Sequence, residues 1–365
     1  MKISVVGLGY WGPKLLRNLV ALCDADRIVI VDHDLGRVEA MCREYPALSF
    51  AFTLEKVLED DEVGAVVIAT PIESHAELAR MAIDAGRHVL VEKPLAGSVA
   101  DAAELVERAE RAGVVLMTGH TFLFSPRVTF LANYLDSGRL GDVNYVTSSR
   151  LNLGLHRPDA NVIWDLAPHD FSILFHLLRE VPAVVQTTAR GMMGPALPEV
   201  AFMNLTFPSG AVASVTVSWR APLKVRNTVI VGDSQMIVYD DTQASEPVKI
   251  YDKGIVIPES ASFAANQLTY RYGDTVAPHI SAAEPLAIQL EHFLECVASG
   301  QPCISDGQFG LEVVEALEAA QRSWERGGAP VETGTAGRRA AQAARAAAGT
   351  PGHKDDSTLT SNHAE

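Results

Sequence analysis

Two short segments carry side chains that could do acid–base chemistry. In the first, Lys93 follows an apolar run and precedes Pro94, so it lies where a buried strand would end. Ligands of open α/β sheets collect at the carboxyl ends of strands, where a lysine could contact a substrate hydroxyl and lower its pKa. The proline could hold a cis bond that fixes the direction of the lysine. A surface Lys-Pro turn explains the same residues equally well.

In the second segment, Asp165 lies four residues before His169, ahead of an apolar run that is typical of a helix. Pro168 suits the first turn of that helix, which would bring the carboxylate and the imidazole together at its start. An acid that orients a histidine raises its basicity toward working pH, as general-base catalysis requires. A capping aspartate beside a structural histidine is the alternative, and the residues alone favour it slightly.

The elements that must position these side chains begin with a glycine-rich turn. The β-branched run Ile3–Val6 leads directly into the motif Gly7-Leu8-Gly9-Tyr10-Trp11-Gly12. Gly7 permits the tight turn, Gly9 lets backbone amides approach a pyrophosphate, and Gly12 lets the next helix lie close to the strand. Asp32 ends a second apolar run twenty residues beyond Gly12, where an acid can accept hydrogen bonds from the ribose hydroxyls of an adenosine. This combination predicts a dinucleotide site rather than a simple strand-turn-helix.

Other polar residues follow further strands of the same predicted sheet. His75 comes shortly after Thr70 and Pro71, where it could border a nicotinamide or be a solvated residue on a first helical turn. His120 follows a later strand and could line the cleft. Four further residues could contact a substrate, although a solvated sheet face is the more economical interpretation: Trp219, Arg220, Lys224 and Arg226.

Composition excludes several classes of protein. The 365 residues are 48% hydrophobic, enough for a sizeable core and, as a prior, two domains. A net charge of −15 argues against binding nucleic acid or anionic membrane through bulk charge, but leaves a local basic pocket for a phosphorylated substrate open. The four cysteines are scattered without C-x-x-C spacing, which predicts a reducing compartment and no metal site. With no membrane-spanning run and no signal peptide, we expect a cytoplasmic protein.

The pattern along the chain predicts two domains and a tail. Over residues 1–121, alternating strand and helix signals predict a doubly wound parallel sheet covered on both faces. Over residues 122–333, short apolar runs without intervening helices predict a mostly antiparallel sheet, and two amphipathic helices follow. Residues 334–365 have almost no large apolar side chains and are predicted to be disordered. The expected strands are Ile3–Val6, Ile28–Val31, Ala65–Ala69, His88–Val91, Val114–Met117, Val184–Thr188, Ala201–Phe207, Ala211–Trp219 and Val225–Val231; the expected late helices are Glu284–Ala298 and Phe309–Trp324.

Taken in order, these motifs resemble those of the Gfo/Idh/MocA family, named for glucose–fructose oxidoreductase and inositol dehydrogenase. The resemblance covers the chain to about residue 333 and rests on the glycine-rich motif, Asp32, Ala69-Thr70-Pro71 with His75, Glu92-Lys93-Pro94, and Asp165 with His169. It implies an N-terminal Rossmann domain joined to a C-terminal α/β domain. The large open sheet of that second domain would form a homo-oligomer, either a dimer or a tetramer.

The resemblance also implies roles for the matching residues. His169 would accept a proton, Lys93 would hydrogen-bond the reacting oxygen, and Asp165 would support the pair. Members often carry an acid three residues after the histidine, where this chain has Ser172 and places its acid at Asp170 instead. The expected cofactor contacts are Gly7, Gly9, Tyr10, Trp11, Gly12, Asp32, Thr70, Pro71, His75, Glu92 and Lys93. The expected substrate contacts are His120, Trp164, Asp165 and His169.

The activity implied by the resemblance is hydride transfer between a ring secondary alcohol and NAD or NADP. The alcohol would belong to a sugar, a sugar nucleotide or a cyclitol. Asp32 and Asp34 favour NAD because a 2′-phosphate would meet their negative charge, although His33 or Arg37 could soften that effect. The segment Trp219–Arg226 resembles a subgroup associated with UDP-sugar 3-dehydrogenation, which favours oxidation at C-3.

Two other functions fit the same fold. One is a hydrolase or epimerase that retains NAD and oxidises its substrate only transiently. The other is a non-catalytic regulator that responds to NAD. The presence of Lys93, Asp165 and His169 together counts against the regulator, since a sensor needs no base.

Overall fold

The computed structural model describes residues 1–154, 160–192, 197–256 and 269–334. Within these ranges the chain forms a six-stranded parallel sheet and a nine-stranded, mostly antiparallel sheet. This arrangement confirms the predicted α/β fold, a Rossmann doubly wound sheet followed by an α/β domain with a large open sheet. The boundaries at residues 121 and 333 remain our proposal. The predicted tail lies outside the described residues apart from Gly334.

The parallel sheet follows the strand order of a Rossmann fold, β3-β2-β1-β4-β5-β6. Its central strands are almost continuously buried because helices cover both faces. The strands are β1 (Lys2–Val6), β2 (Ile28–Val31), β3 (Ser49–Ala51), β4 (Val63–Ile68), β5 (His88–Glu92) and β6 (Leu116–Gly119); the helices are α1 (Gly12–Leu22), α2 (Leu35–Glu44), α3 (Leu54–Leu58), α4 (His75–Asp84) and α5 (Val99–Ala112).

The second sheet has the order β14-β13-β12-β11-β7-β10-β9-β8-β15. Its pairs are antiparallel except for β10 and β7, which run parallel. Along the strand Val200–Thr206 burial alternates: Ala201 and Met203 are buried, while Phe202 is exposed. One face therefore packs on a core and the other does not. The strands are β7 (Val143–Leu153), β8 (Val184–Arg190), β9 (Val200–Thr206), β10 (Val212–Ser218), β11 (Arg220–Gly232), β12 (Met236–Asp240), β13 (Val248–Val256), β14 (Thr269–Val276) and β15 (Val331–Glu332).

The described ranges contain four further helices: α6 (Pro126–Asp136), α7 (Val162–Leu178), α8 (Pro285–Ser299) and α9 (Gly307–Glu325). Helix α7 packs on the second sheet and on α9, whereas α8 packs on α1 and α9 packs on α5. The last two helices thus return to the Rossmann domain. This packing brings α7 to the carboxyl end of β5.

Helix α7 begins earlier than the sequence predicted. The side chain of Asn161 caps it by accepting hydrogen bonds from the backbone N–H groups of Ile163 and Trp164. Pro168 consequently lies in the helix interior, not in its first turn, so that expectation was wrong. Because proline has no N–H, it cannot donate to the Trp164 carbonyl one turn earlier.

Candidate active site

The glycine-rich turn is a backbone cradle whose close contacts exclude side chains. Gly7 has φ +93°, and a Cβ on Gly12 would lie 2.0 Å from the Gly7 carbonyl oxygen. A Cβ on Gly9 would instead meet nothing within 4 Å, so the middle of the turn opens to solvent. The turn leads into the N-terminus of α1, whose unpaired N–H groups attract anions. These features fit the pyrophosphate of a dinucleotide.

Asp32 closes the same site from the end of β2. Its carboxylate accepts hydrogen bonds from the backbone N–H groups of Leu8, at 2.7 Å, and Asp34, at 2.9 Å. Burial alone would raise the pKa of Asp32, but these hydrogen bonds and the nearby Arg37 lower it below its usual value. Arg37 lies between the carboxylates of Asp32 and Asp34, at 3.6 and 3.4 Å. The edge of the site thus combines two carboxylates with one guanidinium.

Lys93 follows β5, next to a cis Lys93–Pro94 peptide bond, and reaches across to α7. Its Nζ donates to the backbone carbonyl of Asp165 at 2.7 Å and lies 3.4 Å from the Asp165 carboxylate. The other carboxylate oxygen accepts a hydrogen bond from the indole N–H of Trp219 at 3.0 Å. Beside the lysine, burial raises the pKa of Glu92 to about 7, although the charge of Lys93 opposes that shift.

His169 lies one helical turn beyond Asp165. Burial lowers the pKa of its imidazole well below the usual value, and the charges of Lys93 and Arg150 lower it further. Its Nδ1 is buried with no hydrogen-bond partner among the described residues. The ring of Phe122 packs edge-on against the imidazole, with 4.9 Å between centroids. The imidazole is therefore neutral near pH 7.

Lys93 and His169 line one cavity of about 220 Å³ between the two sheets. Trp11, Glu92, Gly119 and Thr121 contribute from the Rossmann side. From the other side come Phe122, Arg150, Leu151, Asn152, Leu166, Lys224 and Arg226. The structure thus places an ammonium and a neutral imidazole together, although they are far apart in the sequence.

Two family models match the chain: "Oxidoreductase family, NAD-binding Rossmann fold" matches residues 1–120, and "GFO/IDH/MocA C-terminal domain" matches residues 128–238. The chain belongs to the Gfo/Idh/MocA family. It is accordingly an oxidoreductase with an NAD-binding Rossmann domain, and the resemblance noted in the sequence is confirmed.

The chain is also similar to individual proteins over most of their length. The 4-carboxy-2-hydroxymuconate-6-semialdehyde dehydrogenase of Sphingobium sp. is 28% identical over 68% of this chain and 84% of the relative. The scyllo-inositol 2-dehydrogenase (NAD(+)) of Bacillus subtilis is 25% identical over 91% of this chain and 96% of the relative. The solved structure of GenD2 from gentamicin A biosynthesis, in complex with NAD, is 25% identical with a TM-score of 0.75, covering 91% of this chain and 96% of that one.

Two residues expected at the site have other surroundings in this family member. His75 is buried, and its two ring nitrogens face the carbonyl oxygens of Pro94 and Thr70, both at 2.9 Å. It therefore joins two loops at the strand ends and is not solvated. His120 is 1% exposed and is not among the residues that line the cavity; burial, then the charge of Lys93, lowers its pKa to about 3.

The surroundings of two further residues differ from the expectation. Trp164 packs against hydrophobic clusters of both domains and is not among the described residues that line the cavity. The expected contact between Asp165 and His169 is also absent, because the two carboxylate oxygens of Asp165 bond to Lys93 and Trp219. A spacing of four residues puts two side chains on one helix face, but the neighbouring strands decide which partner each meets.

The cavity also contains residues that sequence reasoning missed or undervalued. Arg150 was not predicted, and Lys224 and Arg226 were interpreted as a solvated face. Arg150 donates from Nε to the buried Asp170 at 2.7 Å, so the acid at 170 holds a cavity residue in place. Ser172, at the position of the family's usual acid, donates instead to the His169 carbonyl. Arg150 could have been identified from the sequence as an arginine within the largely polar segment that follows Val143.

The remaining predictions concern metals and membranes. His292, Cys296 and Cys303 come together with all ligating atoms within 4.8 Å, although the sequence separates the two cysteines by seven residues. The backbone N–H of Ile304 already donates to Nε2 of His292 at 3.0 Å. In the described ranges, none of the helices combines the length and apolar character that crossing a bilayer requires.

Proposed function

We propose that this protein is an NAD-dependent dehydrogenase of a ring secondary alcohol in a sugar, a sugar nucleotide or a cyclitol. The observation that carries the proposal is the shared cavity of Lys93 and His169 at the carboxyl end of β5, beside the glycine-rich turn. The scyllo-inositol 2-dehydrogenase (NAD(+)) of Bacillus subtilis supports this class, since it acts on a cyclitol.

In this proposal His169 is the general base. Burial and the surrounding positive charges keep its imidazole neutral at physiological pH, so it can accept the hydroxyl proton. Since Nδ1 is buried without a partner, Nε2 is the nitrogen that a bound alcohol could reach. Lys93, held by Asp165, stabilises the negative charge that develops on the alcohol oxygen. NAD, when bound, supplies the acceptor of the hydride.

Asp165 acts on Lys93 in this mechanism and not on the imidazole. Its carbonyl and carboxylate oxygens both approach Nζ, and Trp219 fixes the carboxylate from the opposite side. The pair therefore directs the ammonium into the cavity. Asp165 is a positioning residue for Lys93.

The cofactor is NAD rather than NADP in our proposal. A 2′-phosphate beside Asp32 would meet two carboxylates, and the one nearby guanidinium, Arg37, already pairs with both. Gly7, Gly9 and the start of α1 would hold the pyrophosphate. Tyr10, Trp11, Thr70, Pro71 and Glu92 remain proposed cofactor contacts.

Three further predictions belong to the proposal. The oxidised carbon is C-3, on the resemblance of Trp219–Arg226 to UDP-sugar 3-dehydrogenases. The subunits form a homo-oligomer through the open face of the second sheet, which exposes large apolar side chains such as Tyr145, Phe202 and Val212. The protein works in the cytoplasm, which suits four free cysteines.

The test is to incubate the protein with NAD and a panel of sugars, sugar nucleotides and cyclitols, following the absorbance of reduced cofactor. We expect NADH from at least one compound, and loss of that signal in Lys93→Ala and His169→Ala proteins that still bind NAD. Substrate conversion without net NADH would favour the hydrolase or epimerase. NAD binding without turnover of any compound would favour the regulator, and near-normal turnover in both variants would overturn the assigned roles.

A further inference from the structure

Two arginines face each other across neighbouring strands of the cavity wall. Arg150 on β7 is the direct antiparallel partner of Arg226 on β11. Like charges placed directly opposite each other destabilise a sheet. Lys224, two residues before Arg226, adds a third cation to the same wall. Because this pairing of like charges destabilises the sheet, its presence suggests that the two arginines bind a ligand.

Each arginine is held from behind by a carboxylate and keeps donors free. Arg150 uses Nε and Nη2 on Asp170, and it is only 7% exposed. Arg226 uses Nη1 on Asp241 at 3.1 Å. Nη1 of Arg150 and Nε and Nη2 of Arg226 have no hydrogen-bond partner within the described part of the chain. Both guanidinium groups are thus fixed in position with N–H groups to spare.

The lining of the cavity has an excess of positive charge. Among the described lining residues, the cations are Lys93, Arg150, Lys224 and Arg226, and Glu92 is the carboxyl group. Asp170 and Asp241 do not line the cavity. A small enclosed space with this balance favours an anion, and the planar donors of arginine match the oxygens of a carboxylate or phosphate.

We propose that Arg150, Lys224 and Arg226 form an anion subsite, and that the ring bearing the reacting alcohol also carries a carboxylate or a phosphate. This inference rests on the proposed function, because it places the anion on the dehydrogenase substrate. It predicts discrimination against the neutral parent compound. A site built with charged donors rejects a ligand that leaves them unpaired.

The anion must lie close to the reacting alcohol. The ring of Phe122 contacts the imidazole of His169 and also both guanidinium groups, whose central carbons lie 4.6 Å (Arg150) and 5.5 Å (Arg226) from its centroid. The volume of about 220 Å³ is below the range of about 300–1,000 Å³ for sites that enclose drug-sized ligands. A single ring with one anionic substituent suits this space.

The test compares ring compounds with and without an anionic group, with NADH present so that no alcohol is oxidised. Calorimetry would measure the binding of glucose, glucuronate and glucose 6-phosphate, and of inositol and inositol phosphate. We expect at least one anionic compound to bind about tenfold or more tightly than its neutral parent. Preference for glucuronate identifies a carboxylate, whereas preference for a phosphorylated ring identifies a phosphate. If no anionic compound binds more tightly than its parent, the proposal is overturned.

Substitutions of Arg226 and Lys224 test whether the tighter binding of the anion depends on these side chains. Arg226→Gln should weaken binding of the preferred anion about 10- to 100-fold and binding of the neutral parent less than about threefold. Lys224→Gln, at an exposed position that the fold tolerates, should cost about threefold on the anion alone. Lys253→Gln, an exposed lysine elsewhere in the same sheet, is the control and should change neither. Equal weakening of anion and parent in both wall variants would contradict the subsite.

The formation of NADH from NAD is measured separately from binding. An anionic alcohol that binds through the wall but yields no NADH supports the subsite and counts against the proposed dehydrogenase. Oxidation of neutral alcohols as fast as of anionic ones supports the dehydrogenase and overturns the subsite.

Discussion

The two regions proposed to bind the reactants have opposite charge. At the end of β2, the carboxylates of Asp32 and Asp34 share one guanidinium, that of Arg37. In the cavity between the sheets, the described lining residues include four arginines and lysines and one carboxyl group, that of Glu92. The chain as a whole carries −15, so the cavity has the opposite sign to the protein. Local placement, and not net charge, decides which ligand each region accepts.

The regions also differ in construction. The first is a contiguous turn in which backbone N–H groups of Leu8 and Asp34 fix the acid. The second is assembled from side chains on β7, α7, β11 and the segment after β6, together with Trp11, Glu92 and Lys93 of the Rossmann domain. The backbone site has no room for a Cβ at Gly7 or Gly12, whereas the side-chain site depends on individual charges. Variants in one region should therefore leave the other intact.

The largest expected effect separates catalysis from cofactor binding. His169→Ala should lower kcat by ~10² to 10⁴-fold because the general base is lost, with the affinity for NAD unchanged. His176→Ala is the matched control, since His176 lies on the same helix and does not line the cavity. Steady-state kinetics and calorimetry with NAD measure the two quantities. A parallel loss of turnover and NAD affinity would mean that the two regions are not independent.

The difference in construction explains what the sequence could predict. Gly7, Gly12 and Asp32 lie at fixed spacings within one β-α-β unit, so their geometry follows from local rules. The same holds for Lys93, which comes directly after β5. Apart from the short edge strand β3, the strands of the Rossmann sheet were predicted with ends that lie within two residues of the observed ones.

Arg150 was missed because polar residues interrupt the hydrophobic pattern of β7, the strand that carries it. In β7 the inward positions are Val146, Ser148 and Arg150, so polar residues occupy the buried face. They are satisfied by Asp170, which bonds to both Ser148 and Arg150 from α7. Periodicity finds buried apolar residues and cannot find a buried ion pair whose partners lie twenty residues apart. For the same reason the sequence paired Asp165 with His169 and not with Lys93.

A second prediction disturbs only the backbone site. Gly12→Ala places a methyl group 2.0 Å from the Gly7 carbonyl oxygen, so the turn must shift. We expect the free energy of unfolding to fall by about 1–3 kcal/mol and NAD affinity to fall with it, while anion binding in the cavity survives. Gly97→Ala is the control, because its Cβ would meet only Ile72 at 3.9 Å. Unchanged NAD affinity in Gly12→Ala would contradict the proposed cradle.

A third prediction concerns the charge at the end of β2. Asp32→Ser should raise the ratio of kcat/KM for NADP to that for NAD by about tenfold, because one of the two repelling carboxylates is removed. Asp26→Ala removes an exposed acid just before β2 and should leave the ratio unchanged. A wild-type protein that already prefers NADP tenfold would show that Arg37 outweighs both carboxylates.

The smallest expected effect is a pH shift inside the cavity. An imidazole must be neutral to accept a proton, so kcat/KM falls as the pH drops through the pKa of His169. Burial lowers that pKa, and the neighbouring positive charges, that of Arg226 among them, lower it further. Arg226→Gln removes one of these charges and should raise the pKa. The acidic limb of the profile then moves to higher pH.

A second titrating group must be removed before this shift can be assigned. Glu92 has a pKa of about 7 in the same cavity, so its titration would overlay the limb. The profile is therefore compared between Glu92→Gln and the double variant Glu92→Gln/Arg226→Gln, with Lys253→Gln in the same background as control. Movement of the acidic limb to lower pH would mean that Arg226 does not lower the pKa of His169. An equal shift in the Lys253→Gln control would mean that any surface charge has the same effect. Movement of the acidic limb to higher pH in the double variant alone would show that the charge of Arg226 lowers the pKa of His169. A substrate anion bound at the anion subsite would offset the same charge. His169 would then become more basic only when substrate is present.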